Sequence, residues 1–375
     1  MQAQHWQVER LFDGESFIDN AWITLSEGRV QAIGQGEAPP GAVVLTGTLV
    51  PGFIDVQVNG GGGVLFNDRP DADAIAAIIS AHARYGSTGL MVTLITDQLP
   101  VIEAAADAAA QAQAAGLPGY LGIHFEGPHL SVAKKGVHSA EYIRPLSEAE
   151  MAQYCRQDLG RVMVTLAPEQ VPPEQIARLV SAGVRVCLGH SNADFATAQS
   201  ALAAGASGIT HLFNAMSPFT SREPGLVGAA LLDDDAWCGL IVDGHHVHDA
   251  SLQLALKVRP ESRMMLVTDA MPPVGAEGES FTLMGRPIRR EGDKLTAPTG
   301  ELAGSALDMA SAVRNSIRRL GVEEARALKM AARYPAQFLG LAQHGTLKVG
   351  SPADMVLLDG EFQVQQCWIG GTPRI

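Results

Sequence analysis

From residue 53 onward, short and almost wholly apolar runs alternate with longer stretches in which apolar residues recur every three or four positions. The runs are FIDVQV (53–58), LMVTLIT (90–96), YLGIHFEG (120–127), RVMVTLAPE (161–169), VRVCLGH (184–190), GITHLF (208–213), WCGLIVDG (237–244) and MMLVTDAM (264–271). Runs without polar alternation read as strands covered on both faces. Eight of them separated by helical stretches are what a TIM-like (β/α)8 barrel requires. The stretch 71–86 shows the helical texture: Ile75, Ile78, Ile79 and His82 recur at i, i+3, i+4 and i+7, with Asp71 or Asp73 available as N-cap.

The flanks differ. Within residues 5–50, WQVERL, AWITLSEGRVQAIG and GAVVLTGTLVPG interleave β-prone runs with turn signals, which predicts a small antiparallel sheet. The tail GTLKVGSPADMVLLDGEFQVQQCWIGG is β-prone again and is expected to rejoin that sheet. The predicted architecture is a barrel over residues 51–343, with a small β-sandwich domain formed by residues 1–50 and 344–375. Residues 275–304, with glycines, prolines and short β-like pieces, read as an excursion after the eighth strand, before helices at about 305–340. An excursion there can cover a site.

The stretch GFIDVQVNGGGG (52–63) is unusual for a buried strand. With a side-chain period of two, Asp55, Gln57 and Asn59 face one way while Val56 and Val58 face the other. Two amides thus stand at the strand end where many hydrolases keep a His-x-His metal pair. The four glycines suit a sharp turn or a close approach of ligand to backbone. Taken alone, the stretch is a Gly-rich turn capping a strand.

Charge narrows the partners. With 27 basic and 40 acidic residues the formal net charge is −13, which argues against a nucleic-acid or anionic-membrane surface. Any acidic substrate must then be met by a local cluster of cations. The opening MQAQHWQVER lacks a signal-peptide core, and no segment approaches the roughly 18 uninterrupted apolar residues of a membrane span. The expectation is a soluble protein of the cytoplasm. Cys155, Cys187, Cys238 and Cys367 are scattered and form no C-x-x-C pair, as expected of reduced packing residues.

Candidate chemistry falls at the strand ends. Glu126 closes IHFE, His190 closes VCLGH, and His211 sits in ITHLF. The carboxyl ends of barrel strands converge on one rim, so these three would meet in space. One carboxylate and two imidazoles leave a position of a tetrahedral Zn²⁺ open, as in catalytic sites. Asp269, in VTDAM, is placed across the rim to take a proton and return it to a leaving group; its alternatives are a helix N-cap or a fourth ligand. Val137 and His138 in KKGVHSAE, Arg222 after FNAMSPFTS, and the histidines of DGHHVH could hold a substrate. Backbone N–H groups at Asn214 and Ala215 could meet a phosphate.

In chain order, PGFIDVQVNG, HFEGPHL, GHSNA, THLFNAM, DGHHV, VTDAM and LAGSALDM resemble the N-acetylglucosamine-6-phosphate deacetylases of the amidohydrolase superfamily. The resemblance covers nearly the whole chain. It implies hydrolysis of the acetamide of N-acetyl-D-glucosamine 6-phosphate to D-glucosamine 6-phosphate and acetate, in amino-sugar catabolism. It further implies metal ligation by Glu126, His190 and His211, acid/base work by Asp269, and oxyanion stabilisation by His138. Substrate contacts are implied for Val137, His138, Asn214, Ala215, Arg222, His246 and the stretch Leu302, Ala303 and Gly304, with Gln57 and Asn59 also facing the substrate. Arg222 and His246 would clamp the phosphate, partly across a homodimer interface. Because neutral amides are poor ligands beside imidazole, Gln57 and Asn59 imply one divalent metal per chain, with Zn²⁺ the first expectation and Fe²⁺, Mn²⁺ or Co²⁺ the alternatives. A galacto-epimer deacetylase is the neighbouring reading. A non-catalytic sugar-phosphate sensor or scaffold is the reading of another class, and the intact Glu126, His190, His211 and Asp269 set speaks against it.

Overall fold

The eight apolar runs become the eight parallel strands of one sheet, which a computed structural model describes over residues 3–278 and 280–375. They are Phe53–Val58, Ser87–Ile95, Tyr120–Glu126, Arg161–Leu166, Arg185–Leu188, Gly208–Ile209, Trp237–Leu240 and Met264–Leu266, each beside the next in chain order. The ring closes between the first and the eighth. Val58 bridges Ala270 in parallel, the Asp269 N–H donates to the Gln57 carbonyl at 3.0 Å, and the Thr268 hydroxyl donates to the Asp55 carboxylate at 2.5 Å. The fold is a (β/α)8 barrel with a small β-sandwich domain. Several strands stop short of the apolar runs, and the reason is local. His190, His211 and Asp269 have φ of 48°, 32° and 53°, outside the β region, so regular pairing ends before them.

The first helix spans Ala72–Ala83, and the Asp71 carboxylate caps it by accepting from Ala74 N–H. Its Ile75, Ile78 and Ile79 are buried on the barrel, as the periodicity predicts. His82 shares that buried face and bonds the Gly60 carbonyl at 2.9 Å. That contact explains part of the glycine run. A Cβ at Gly61 would lie 2.8 Å from the His82 ring, and one at Gly60 would lie 2.4 Å from the Val64 carbonyl. Gly62 and Gly63 have φ of 61° and 81°, which favour glycine.

The chain's two ends form a seven-stranded sheet. Gln4–Phe12, Phe17–Ser26, Arg29–Gln35 and Val43–Pro51 are joined by Met355–Leu358, Val364–Ile369 and Thr372–Pro373, the seam being Met355–Leu358 against Val43–Pro51. Arg29 bridges Pro352, so the two ends of the sheet approach and enclose Trp6, Ile23, Leu49, Met355 and Trp368. The excursion forms a three-stranded antiparallel sheet, Ser280–Leu283, Arg286–Glu291 and Lys294–Thr296; its residue 279 lies outside the described residues. Leu283, Ile288 and Leu295 pack onto Leu65, Ile95, Val137 and Met271, which seats this small sheet over the rim. Arg286 Nη2 donates to the Val137 carbonyl at 2.6 Å, and His245 Nε2 meets Asp293 Oδ1 at 2.7 Å, tying the sheet to two rim loops. Helices Met309–Arg318, Glu324–Ala331 and Arg333–Phe338 follow. Among the described residues no helix is long and apolar enough to cross a membrane.

Candidate active site

Glu126 is the last residue of the third barrel strand, and its Oε1 lies 3.3 Å from His190 Nε2 and 3.1 Å from His211 Nε2. The two Nε2 atoms are 3.1 Å apart. Ligands held at about 2.0–2.2 Å in a tetrahedral shell are themselves about 3.3 Å apart, so this triangle has the dimensions of one face of such a shell. The donor chemistry agrees. His190 Nδ1 donates to the Lys134 carbonyl at 2.8 Å, which leaves a lone pair on Nε2. That lone pair and the Glu126 oxygen both converge on His211 Nε2, an arrangement a divalent cation satisfies. A looser set also exists: Glu126, His138 and His190 present ligand atoms all within 4.8 Å of one another. Burial pushes the Glu126 carboxyl up, but the hydrogen bonds and charges of His190 and His211 outweigh it and hold it well below the usual range.

Asp269 faces this cluster. Its Oδ1 accepts from Asn59 Nδ2 at 2.7 Å and from Gln57 Nε2 at 3.2 Å, and the same Gln57 nitrogen reaches Glu126 Oε1 at 3.2 Å. The amides that stand in place of a His-x-His pair are therefore hydrogen-bond donors to both carboxylates. Because both grip Oδ1, Asp269 has its second oxygen available for proton transfer. Burial raises the Asp269 pKa, and the Glu126 charge adds to it against His211, His246 and Asn59. A carboxyl so raised is suited to holding a proton part-way through a reaction. The left-handed φ at His190, His211 and Asp269, and at Ala215 (50°), adds strain of the kind that gathers at functional sites.

These groups open onto a cavity of about 210 Å³ lined by Asn59, Glu126, His138, His190, His211, Asn214, Ala215, His246, Asp269, Leu302 and Gly304. Ile95, Gly136, Val137 and Met271 complete it. Its size, below the about 300–1,000 Å³ of most ligand sites, restricts it to one small molecule. None of these lining residues is Lys or Arg. His138 Nδ1 meets Thr96 Oγ1 at 2.8 Å, and burial, helped by the neighbouring His190, drives its imidazole well below the ordinary range, so it is neutral. His246 Nδ1 donates to Asp243 Oδ2 at 2.6 Å, which leaves Nε2 free. Burial pushes the Asp243 carboxyl up, but the bonds and charge of His246 bring it down to about 2.

Not every expected residue reaches the cavity. Gln57 is buried behind it, Ala303 is in the apolar cluster under the small sheet, and Arg222 is exposed outside it. The Asn214 N–H is already bonded to the His211 carbonyl at 3.0 Å, and its side chain also turns back to that carbonyl. Asp243, which orients His246, was not singled out from sequence, although it closes the seventh strand run as Glu126 closes the third. Thr96 and the buried chain Thr93–His124–Thr165–Thr210, with contacts of 3.1, 2.7 and 2.6 Å beneath the cluster, gave no sequence signal.

A model of the amidohydrolase family matches residues 48–373. The chain belongs to the amidohydrolase family. Within it, the chain is 49% identical over 326 residues to an N-acetylgalactosamine-6-phosphate deacetylase of Shewanella sp. (strain ANA-3), covering 87% of this chain and 83% of that one. It is 34% identical over 382 residues to an N-acetylglucosamine-6-phosphate deacetylase of Vibrio furnissii, covering 98% and 94%. A variant N-acetyl-D-glucosamine-6-phosphate deacetylase of Mycobacterium smegmatis, solved with N-acetyl-D-glucosamine-6-phosphate, is 30% identical with a TM-score of 0.94, covering 100% of both chains. Barrel and terminal sheet are thus those of an amidohydrolase.

Proposed function

We propose that this amidohydrolase cleaves the acetamide of N-acetyl-D-glucosamine 6-phosphate, giving D-glucosamine 6-phosphate and acetate. The observation that carries the reading is the meeting of Glu126, His190 and His211 with the proton-holding Asp269 on one small cavity. Relatives of that activity, and one solved with that sugar phosphate, support it. The 49% identical Shewanella relative favours a second reading, the galacto epimer of the same substrate.

Glu126, His190 and His211 would hold one divalent cation, Zn²⁺ in the first instance, whose Lewis acidity acidifies water and polarises the acetamide carbonyl. Asp269 takes the proton of the attacking water and delivers it to the nitrogen, without which an amide nitrogen leaves very poorly. His138, neutral, stands where it can donate an N–H to the developing oxyanion. His246, held by Asp243, faces the phosphate with the backbone at Ala215.

A phosphate dianion calls for a cation, and the cavity lining contains neither Lys nor Arg. Arg222 is exposed outside its own cavity, so we assign it to the site of a second copy, in a homodimer working in the cytoplasm. We take residues 1–50 and 344–375 as the small domain and 51–343 as the catalytic barrel. Acetate release from the gluco and galacto sugar phosphates, measured side by side with metal-loaded protein, tests the reading. Turnover of either supports deacetylation and the faster one assigns the epimer; release from neither would remove it.

A further inference from the structure

His138 can serve an oxyanion only if its hydrogen sits on the nitrogen that faces the cavity, and one neighbour decides where that hydrogen sits. Thr96 follows the second barrel strand and is buried, with its Oγ1 2.8 Å from His138 Nδ1. The other ring nitrogen, Nε2, has no hydrogen-bond partner among the described residues, yet it is not one of the enclosed polar atoms left without one. It therefore opens onto the cavity that His138 lines. A neutral ring has two settings. Either the Thr96 hydroxyl donates to Nδ1 and Nε2 carries the hydrogen, or Nδ1 carries it and donates to Thr96. In the second setting the hydroxyl hydrogen needs another acceptor. Among the described residues the one within reach is the Glu126 carbonyl at 3.5 Å, well beyond the about 2.5–3.0 Å of an O–H···O bond. A buried hydroxyl so placed would be unsatisfied, which favours the first setting. Gly127 makes the room: a Cβ there would collide with Thr96 Oγ1.

Resting on the deacetylase reading, we infer that Thr96 is a positioning residue: its hydroxyl donates to His138 Nδ1 and so holds the hydrogen on Nε2, where it can meet the acetamide oxygen. As water adds to the acetyl carbon, negative charge grows on that oxygen. An N–H already aimed into the cavity stabilises it more in the transition state than in the bound amide. No proton changes hands at Thr96 or His138. The same choice withdraws His138 from the looser set with Glu126 and His190, because Nδ1 is taken by Thr96 and a nitrogen bearing hydrogen cannot ligate a cation.

The direct test is where the hydrogen sits. In Zn²⁺-loaded wild type with isotope-labelled histidine, the long-range proton–nitrogen NMR pattern that disappears in His138→Asn should show Nε2 protonated and Nδ1 bare. A hydrogen on Nδ1 would overturn the inference, and this measurement needs no Thr96 variant to fold. Kinetics reads the consequence. Thr96→Val, which keeps the shape, should lower kcat roughly 10-fold with KM little changed, less than the about 10²–10³ of a lost oxyanion donor because the ring still visits the productive setting. Thr96→Ser should restore kcat to within about threefold of wild type. In a His138→Asn background, Thr96→Val should cost no more than about threefold, since Thr96 acts only through His138. A loss there as large as in wild type would make Thr96 a merely structural residue and overturn its positioning role. A wild type with Nε2 protonated that releases acetate from neither N-acetyl sugar phosphate would instead sink the deacetylase reading itself.

Discussion

Replacing Asp55 by Asn should stabilise the protein increasingly as pH rises from about 4 to above neutrality. Asp55 is fully buried where the first barrel strand meets the eighth. Its Oδ1 accepts from Gln57 N–H at 3.2 Å and Thr268 N–H at 3.3 Å, and its Oδ2 from the Thr268 hydroxyl at 2.5 Å. Burial pushes the carboxyl from 3.8 up to about 7, although the Thr268 and Gln57 bonds oppose it. An acid whose pKa is higher in the folded state binds more protons folded than unfolded across that window. Stability from this group is therefore greatest below the unfolded pKa and is lost as pH rises toward about 7. The full effect is about 4 kcal/mol, at about 1.36 kcal/mol per pH unit. Asparagine has the same shape. Its oxygen can keep the two N–H bonds and its NH₂ can donate to Thr268 Oγ1, whose hydrogen turns to the Gln57 carbonyl 3.5 Å away. Urea unfolding of both proteins at about pH 5 and about pH 8, at equal metal loading, measures the difference, and other titrating groups cancel in it. Asp55→Asn should gain about 2.6 kcal/mol relative to wild type between the two, the rest of the effect lying below about pH 5. A difference that does not change with pH would refute the reasoning and mean that the three donors keep Asp55 ionised throughout.

His211→Ala should lose bound metal, read by elemental analysis after dialysis, while circular dichroism stays that of a folded barrel; unfolding instead would make the cluster structural. Asp269→Asn should retain metal and substrate binding and lose kcat by about 10²–10⁴-fold, and near-normal turnover would move the acid/base role elsewhere. Asp243→Asn should raise KM for the phosphorylated sugar and leave the unphosphorylated one unaffected, since Asp243 acts through His246; a parallel change in both would separate His246 from the phosphate. Mixing Asp269→Asn with Arg222→Ala chains under conditions of subunit exchange should restore activity in about a quarter of all sites, because half the dimers are mixed and each has one intact site. Mixtures no more active than the sum of the parents would return Arg222 to its own chain.

The fold was legible because its signals are local. A parallel strand covered on both faces leaves an unbroken apolar run, and Asp71 three residues before Ala74 announces a helix start. The convergence of the rim residues was legible for a topological reason: barrel strands bring their carboxyl ends together, so Glu126, His190 and His211 meet although 85 residues separate the first from the last. What pattern could not carry was the direction of each hydrogen bond. That Gln57 bridges Glu126 and Asp269, and that Asp243 holds His246, depends on rotamers set by packing. Arg222 points the same way. Spacing put it after the sixth strand, but only the structure shows its side chain exposed outside its own cavity.

The left-handed backbone at His190, His211 and Asp269 sets function against durability. Each non-glycine residue held there costs of order 1–3 kcal/mol, which glycine would largely relieve. Glycine would also remove an imidazole from the cluster or the carboxylate that faces it. A screen that rewards heat resistance alone should therefore drift toward glycine at these three positions and yield sturdier proteins with no chemistry left. Stabilising this molecule for use means directing change away from the rim, to loops and the outer faces of helices, where rigidity and catalysis do not compete.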